Sequence, residues 1–166
     1  MISDFPFNFI IIPAIIIYIA VKGARQIKNA GGDSGRWYRN LHKPKWTPSG
    51  QLIGEIWTFL YVITGGAIMW FWNVPAFSWF HIVGAVILLM NAYYHFTWNK
   101  VFFGQHDLPQ SYKIIQRVFY TAILSLVAMA ILSPIGAFLM LPYVLWLGFA
   151  MRLNKQILDL NSPEKK

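Results

Sequence analysis

The sequence predicts an all-α integral membrane protein, a five-transmembrane-helix bundle forming a single membrane domain over residues 1–166. Three observations predict it. Hydrophobic residues make up 57 % of the 166-residue chain and charged residues 12 %, against about 25 % charged in a soluble domain. The mean hydropathy is +0.47, and the apolar residues fall into five runs, each approaching or exceeding the roughly 20 residues that cross a hydrocarbon layer. With five spans, all 14 Lys and Arg fall on one side of that layer; one span more or fewer would break the segregation.

The first span, about residues 5–22, contains Asn8 and Pro13 but no charge before Lys22 at its end. Only Asp4 precedes it, and no small-residue cleavage site stands ahead of Lys22, so it reads as a retained helix rather than a cleaved signal peptide. The loop 23–50 holds the basic, aromatic stretch Trp37–Pro48. Its prolines, Pro44 and Pro48, disfavour continuous helix and favour a shaped lid, with Trp46 as an interfacial anchor. The second span, 51–73, carries only Glu55. That carboxyl either protonates a ligand or senses pH, or sits at the headgroups paired with Arg36 or Lys45; the pairing is the expectation. The third span, 77–103, carries only Lys100, the fourth, 111–132, only Arg117 after Lys113 at its start, and the fifth, 135–158, no charge before Arg152. Membrane strands would alternate apolar and polar residues, and stretches such as Val86–Met90 do not.

The cations are Lys22, Arg25, Lys28, Arg36, Arg39, Lys43 and Lys45, then Lys100, Lys113, Arg117, Arg152, Lys155, Lys165 and Lys166. Their one-sidedness places the first loop and the C-terminus in the cytoplasm of a bacterial-type cell membrane. A net charge of +8 is then read as topology plus attraction to anionic headgroups, not as nucleic-acid binding. The same patch suits a propionate-bearing ligand.

Three helical stripes combine polar and aromatic residues: Trp57, Tyr61 and Gly65; Asn91, His95, Trp98 and Phe102; Tyr143, Trp146, Ala150 and Asn154. Lipid is satisfied by Leu and Ile, so such stripes turn inward and form a pocket suited to a flat, apolar ligand with polar edges. Plain packing between helices is the competing reading. Trp70, Trp72 and Trp79, at helix ends, read as an interfacial belt. His95 is the one imidazole well inside a span. It either ligates a haem iron or hydrogen-bonds between helices, and without a second ligand in view the hydrogen bond is the expectation. No metal site is expected. The chain has no Cys, no nucleophile–base pair, no phosphate-binding Gly-rich loop and no metal-binding helix motif.

The pattern Trp37-Tyr38-x2-Leu41-x-Lys43-Pro44-x-Trp46-x-Pro48, then Trp57-x3-Tyr61, resembles the translocator protein (TspO/MBR) family. These are the tryptophan-rich sensory proteins of bacteria and the mitochondrial benzodiazepine receptors. Trp98-x2-Val101-Phe102-Phe103-Gly104 resembles the end of that family's third helix, and Pro142-Tyr143-x2-Trp146-x2-Phe149-Ala150-x2-Leu153-Asn154 its fifth. The resemblance implies a five-helix bundle, commonly a homodimer, with a ligand cavity capped by the first loop. It implies porphyrins such as protoporphyrin IX as ligands, with no required cofactor, and cholesterol and isoquinolines for animal members. The family's cavity positions fall on Tyr38, Pro48, Ile53, Trp57, Tyr61, Trp98, Asn99, Trp146 and Ala150. Some bacterial members are reported to degrade protoporphyrin in light, which the resemblance would assign to Trp57 and Trp146.

Two departures stand out. His95 occupies a position that is Asn in many members, which makes it a further candidate ligand contact. Lys155 replaces the Tyr of the animal cholesterol pattern, so sterol transport is not expected. The leading expectation is a membrane receptor of porphyrins, protoporphyrin IX and haem-like tetrapyrroles, tied to tetrapyrrole regulation or oxidative stress. The alternatives are a light- and oxygen-dependent porphyrin-degrading enzyme and a transporter of hydrophobic ligands, the last disfavoured because no internal repeat is visible.

Overall fold

The computed structural model describes residues 10–18, 21, 31–75 and 78–162. Lys22, Arg25, Lys28, Lys165 and Lys166 lie outside the described residues, as do residues 5–9 and 19–20 of the first expected span and Phe77 of the third. Residues 10–18 form helix α1. Then follow α2 (Gly31–Asn40), α3 (Gly50–Trp72), α4 (Trp79–Asn99) with a π-helical turn at Lys100–Gly104, α5 (Leu108–Leu132) and α6 (Pro134–Asn161). Helices α3, α4 with its π turn, α5 and α6 are each long and apolar enough to cross a bilayer. With α1 lying in the first apolar run, the architecture agrees with the expected bundle.

Local chemistry sets the helix ends. Ser49 Oγ accepts from the Leu52 N–H at 3.2 Å, and the Asp107 carboxylate from the Gln110 N–H at 2.8 Å, each satisfying a first-turn donor that has no partner within the helix. Ser133 ends one helix and starts the next. Its N–H donates to Met129 O at 2.7 Å, and its hydroxyl accepts from the Gly136 N–H at 3.1 Å. Pro134 then opens α6 at a position where its missing N–H costs nothing.

Helix α5 is the centre of the packing, against α4 on one side and α6 on the other. In its most apolar window 44 % of residues are buried, against 17 % in α3. Val118, Ala122 and Met129 of α5 meet Met140 and Leu147 of α6 in a core closed to solvent and lipid. Small residues allow close approach. A Cβ on Gly136 would stand 3.2 Å from Ala67 O, one on Gly84 2.7 Å from the Phe71 ring, and one on Gly65 2.8 Å from Ile16. Gly65 and Gly84 therefore serve contacts within one chain.

The first loop corrects the expectation of a non-helical lid. Residues Gly31–Asn40 form a helix, and irregular chain begins only at Leu41. Proline restricts itself and the residue before it, so Pro44 and Pro48 bar helix over the segment they occupy and leave the residues upstream free. A turn at Pro44, closed by the Thr47 N–H at 3.0 Å and the Thr47 hydroxyl at 2.7 Å, leads into α3.

Candidate ligand cavity

Helix α3 packs chiefly along α6, and its backbone stands apart from α4 over most of its length. The space between them is a cavity of about 1240 Å³, walled by α3, α4 with its π turn, and α6, and bordered by α1 and α2. Helix α5 contributes nothing to the lining. The three stripes meet here. Trp57, Tyr61, His95, Trp98, Trp146, Ala150 and Asn154 all line the cavity, as do Ile53, Asn99 and Tyr38. Asn91 and Tyr143 instead belong to the packing behind it.

The walls are built from rings in contact. Trp57 stands edge-on to Trp146, with centroids 6.3 Å apart and planes at 87°. Its ring lies 4.7 Å from His95 and 5.9 Å from Tyr61. Trp98 stacks on Phe102 at 5.2 Å, and Trp146 on Phe149 at 5.0 Å. These offset and edge-to-face geometries hold the rings in place while leaving π faces for a planar guest.

Polar groups fall into two sets. Behind the cavity Asn91 donates to Val118 O (2.8 Å) and Thr121 Oγ1 (3.0 Å) and accepts from the Tyr143 hydroxyl at 2.7 Å, joining α4, α5 and α6. In the lining, the indole N–H groups of Trp98 and Trp146 are buried and have no hydrogen-bond partner among the described residues. The His95 imidazole, expected to bridge helices, makes no hydrogen bond among the described residues. Asn99 Nδ2 reaches only the His95 carbonyl, at 3.3 Å. That expectation is corrected: among the described residues the His95 ring makes ring contacts with Trp57, Tyr61 and Trp98 rather than a hydrogen bond between helices.

Helix α2 covers one end. Trp37 stacks on His106 at 4.2 Å and stands edge-on to Phe102 at 5.3 Å; Tyr38 meets Phe102 and Phe103. The π turn, closed by Gln105 N–H to Lys100 O at 3.1 Å, brings both phenylalanines into the lining. His106 follows it with φ 58°, a left-handed conformation uncommon outside glycine, and the Trp37 stack covers that ring. At the other end of α2, the Asn161 side chain grips the His42 backbone twice, accepting from its N–H at 3.0 Å and donating to its carbonyl at 2.9 Å. The Lys43 ammonium donates to the carbonyls of Tyr38, Arg39 and Leu41, capping the negative end of the helix. Burial lowers the Lys43 pKa from 10.5 and raises the Tyr38 hydroxyl from 10.0, which keeps Tyr38 a neutral donor.

Charge at the rim differs from expectation. No Lys or Arg among the described residues lines the cavity, and its one charged lining residue is Glu55. The expected ion pair of Glu55 with Arg36 or Lys45 is not formed among the described residues; the carboxylate accepts from Gln51 Nε2 at 2.9 Å, one turn back on its own helix. Arg39 lies at the rim, its Nη1 3.5 Å from where a Cβ on the lining residue Gly35 would stand. Pro48 is half-buried in the segment before α3 but is not in the lining. Its ring shapes the chain that enters the helix. Trp46, 40 % exposed, packs edge-on to Phe149 at 5.1 Å with the Arg152 guanidinium over its ring.

Sequence reasoning did not single out the lining role of Phe149, which the i, i+3 spacing from Trp146 signals. Nor did it find Ile16, Ile17 and Val21. They carry no signal, because an isoleucine facing a cavity and one facing lipid look alike in sequence.

A model of the TspO/MBR family matches residues 9–159. The chain is 30 % identical over 128 residues to the Tryptophan-rich protein TspO of Chlorobaculum tepidum, covering 75 % of this chain and 79 % of that protein. It is 30 % identical over 129 residues to the Tryptophan-rich protein TspO of Bacillus cereus, covering 75 % and 80 %. It is also 29 % identical over 124 residues to the Translocator protein of Homo sapiens, covering 74 % and 73 %. A match running from α1 to the end of α6, through every helix that builds the cavity, places the chain in the TspO/MBR family.

Proposed function

We propose that the protein is a membrane-embedded receptor for porphyrins such as protoporphyrin IX, linked to tetrapyrrole regulation or oxidative-stress signalling. The observation that carries this reading is the cavity of about 1240 Å³ walled by Trp57, Trp98 and Trp146. It exceeds the roughly 300–1,000 Å³ that holds a drug-sized ligand, and its exposed ring faces suit a flat macrocycle. The unpaired indole donors of Trp98 and Trp146 would meet polar edges after small rotations. Propionates would lie at the rim near Arg39, on the side that the cation distribution assigns to the cytoplasm. The homodimer implied by the family belongs to the same proposal.

Titration of the purified protein with protoporphyrin IX, followed by tryptophan fluorescence, tests the reading. Saturable quenching that weakens in Trp57→Phe and Trp146→Phe is expected; no saturation, or quenching unchanged in both variants, rejects it. A second reading, breakdown of the bound porphyrin by light with dioxygen as oxidant, is favoured by the 6.3 Å contact between Trp57 and Trp146, an arrangement suited to an indole relay. Equal pigment loss under light with wild type and with the double Phe variant would reject that role.

A further inference from the structure

The cavity holds one group that a metal-free porphyrin does not use. His95 is 8 % exposed and His81 1 %, yet the two buried imidazoles do different work. His81 Nδ1 accepts from the Ser78 N–H at 3.1 Å and so caps the start of α4. His95 has no such duty: its ring makes no hydrogen bond among the described residues and lies within the lining, beside Trp57, Tyr61 and Trp98. The contacts it makes with them are ring contacts. A buried imidazole without a partner is costly, and polar groups inside a membrane bundle mark functional positions.

A neutral imidazole facing a cavity has the chemistry of a metal ligand. A bare ion does not fit: among the described residues no group of three or more His, Cys, Asp or Glu converges. The chain has no Cys, and no Met lines the cavity. A metal held here must bring its other ligands with it. A metallated tetrapyrrole does so, presenting four ring nitrogens and leaving the axial position to the protein.

We propose that His95 is the axial ligand to the iron of a bound haem, so that the cavity discriminates iron tetrapyrroles from metal-free ones. This rests on the tetrapyrrole reading above and deepens it. A dative bond forms from one imidazole nitrogen to iron while the other nitrogen keeps its proton; no group is transferred and no electron moves. Among the described lining residues no second imidazole, thiolate or thioether stands ready for the opposite face, so the sixth position stays open to a small molecule.

The test uses the full chain in detergent or nanodiscs, titrated separately with ferric haem and metal-free protoporphyrin IX. Wild type should shift the Soret band of haem and bind haem at least about tenfold more tightly than protoporphyrin IX. His95→Asn should lose the shift and bring the ratio near unity. In His95→Ala, added free imidazole should restore the spectrum, a readout that a merely structural role of His95 would not move. Reduction under carbon monoxide should give a six-coordinate adduct in wild type, with a different Soret position in His95→Asn. A haem spectrum identical in wild type and His95→Asn overturns the proposal while saturable protoporphyrin binding leaves the receptor reading standing. Binding of neither pigment overturns both.

Discussion

The two halves of the bundle treat polar and aromatic residues in opposite ways. Where α4, α5 and α6 meet, polar side chains are paired: Asn91, Thr121 and Tyr143 complete one another across three helices. Where α3 faces α4 and α6, the rings of Trp57, Trp98 and Trp146 surround space, and buried donors go unpaired. Both halves use helical stripes of similar composition. The difference is whether a neighbouring helix lies close enough to answer each group. An unanswered donor calls for an explanation, and the proposed ligand supplies one.

Mutations separate the halves. The largest effect is expected for Asn91→Leu, which removes three hydrogen bonds and strands the buried Tyr143 hydroxyl. Stability should fall by about 2 kcal/mol, read as a lower thermal midpoint in detergent, while protoporphyrin affinity holds. A loss of affinity at unchanged stability would break the division. The converse is expected for Trp57→Ala or Trp146→Ala, where affinity should drop about tenfold, or ~1.4 kcal/mol, with little change in midpoint. Calorimetry beside fluorescence titration distinguishes the two patterns.

Smaller effects sharpen the role of α2. Asn161→Ala deletes both bonds to the His42 backbone and should loosen the cover by about 1 kcal/mol. Porphyrin release measured by stopped flow should then quicken about fivefold, with the association rate less affected. An unchanged release rate would mean that α2 does not gate the cavity. The smallest effect belongs to Arg39→Gln, an exposed charge, for which protoporphyrin IX should bind about threefold more weakly. Its dimethyl ester, without carboxylates, should not respond, and the difference should fade at high salt. Equal weakening of acid and ester would remove the propionate contact.

The sequence by itself determined the spans and the stripes. Apolar run length and an i, i+4 repeat are properties of neighbouring residues, and neighbouring residues suffice to read them. It also carried the family motifs, and with them eight of the nine family cavity positions now seen in the lining, with His95 added by its departure from the family pattern. What only the tertiary structure decided concerns distance between segments far apart in the chain. Asn91 and His95 share a stripe one turn apart, yet one lies opposite α5 and is bonded, while the other lies opposite the gap beside α3 and is not. Lys43, a plausible propionate partner by charge, is committed to the end of α2. Pro48 shapes the approach to α3 without reaching the cavity. A cavity is an absence of packing, and no local pattern encodes where five helices fail to touch.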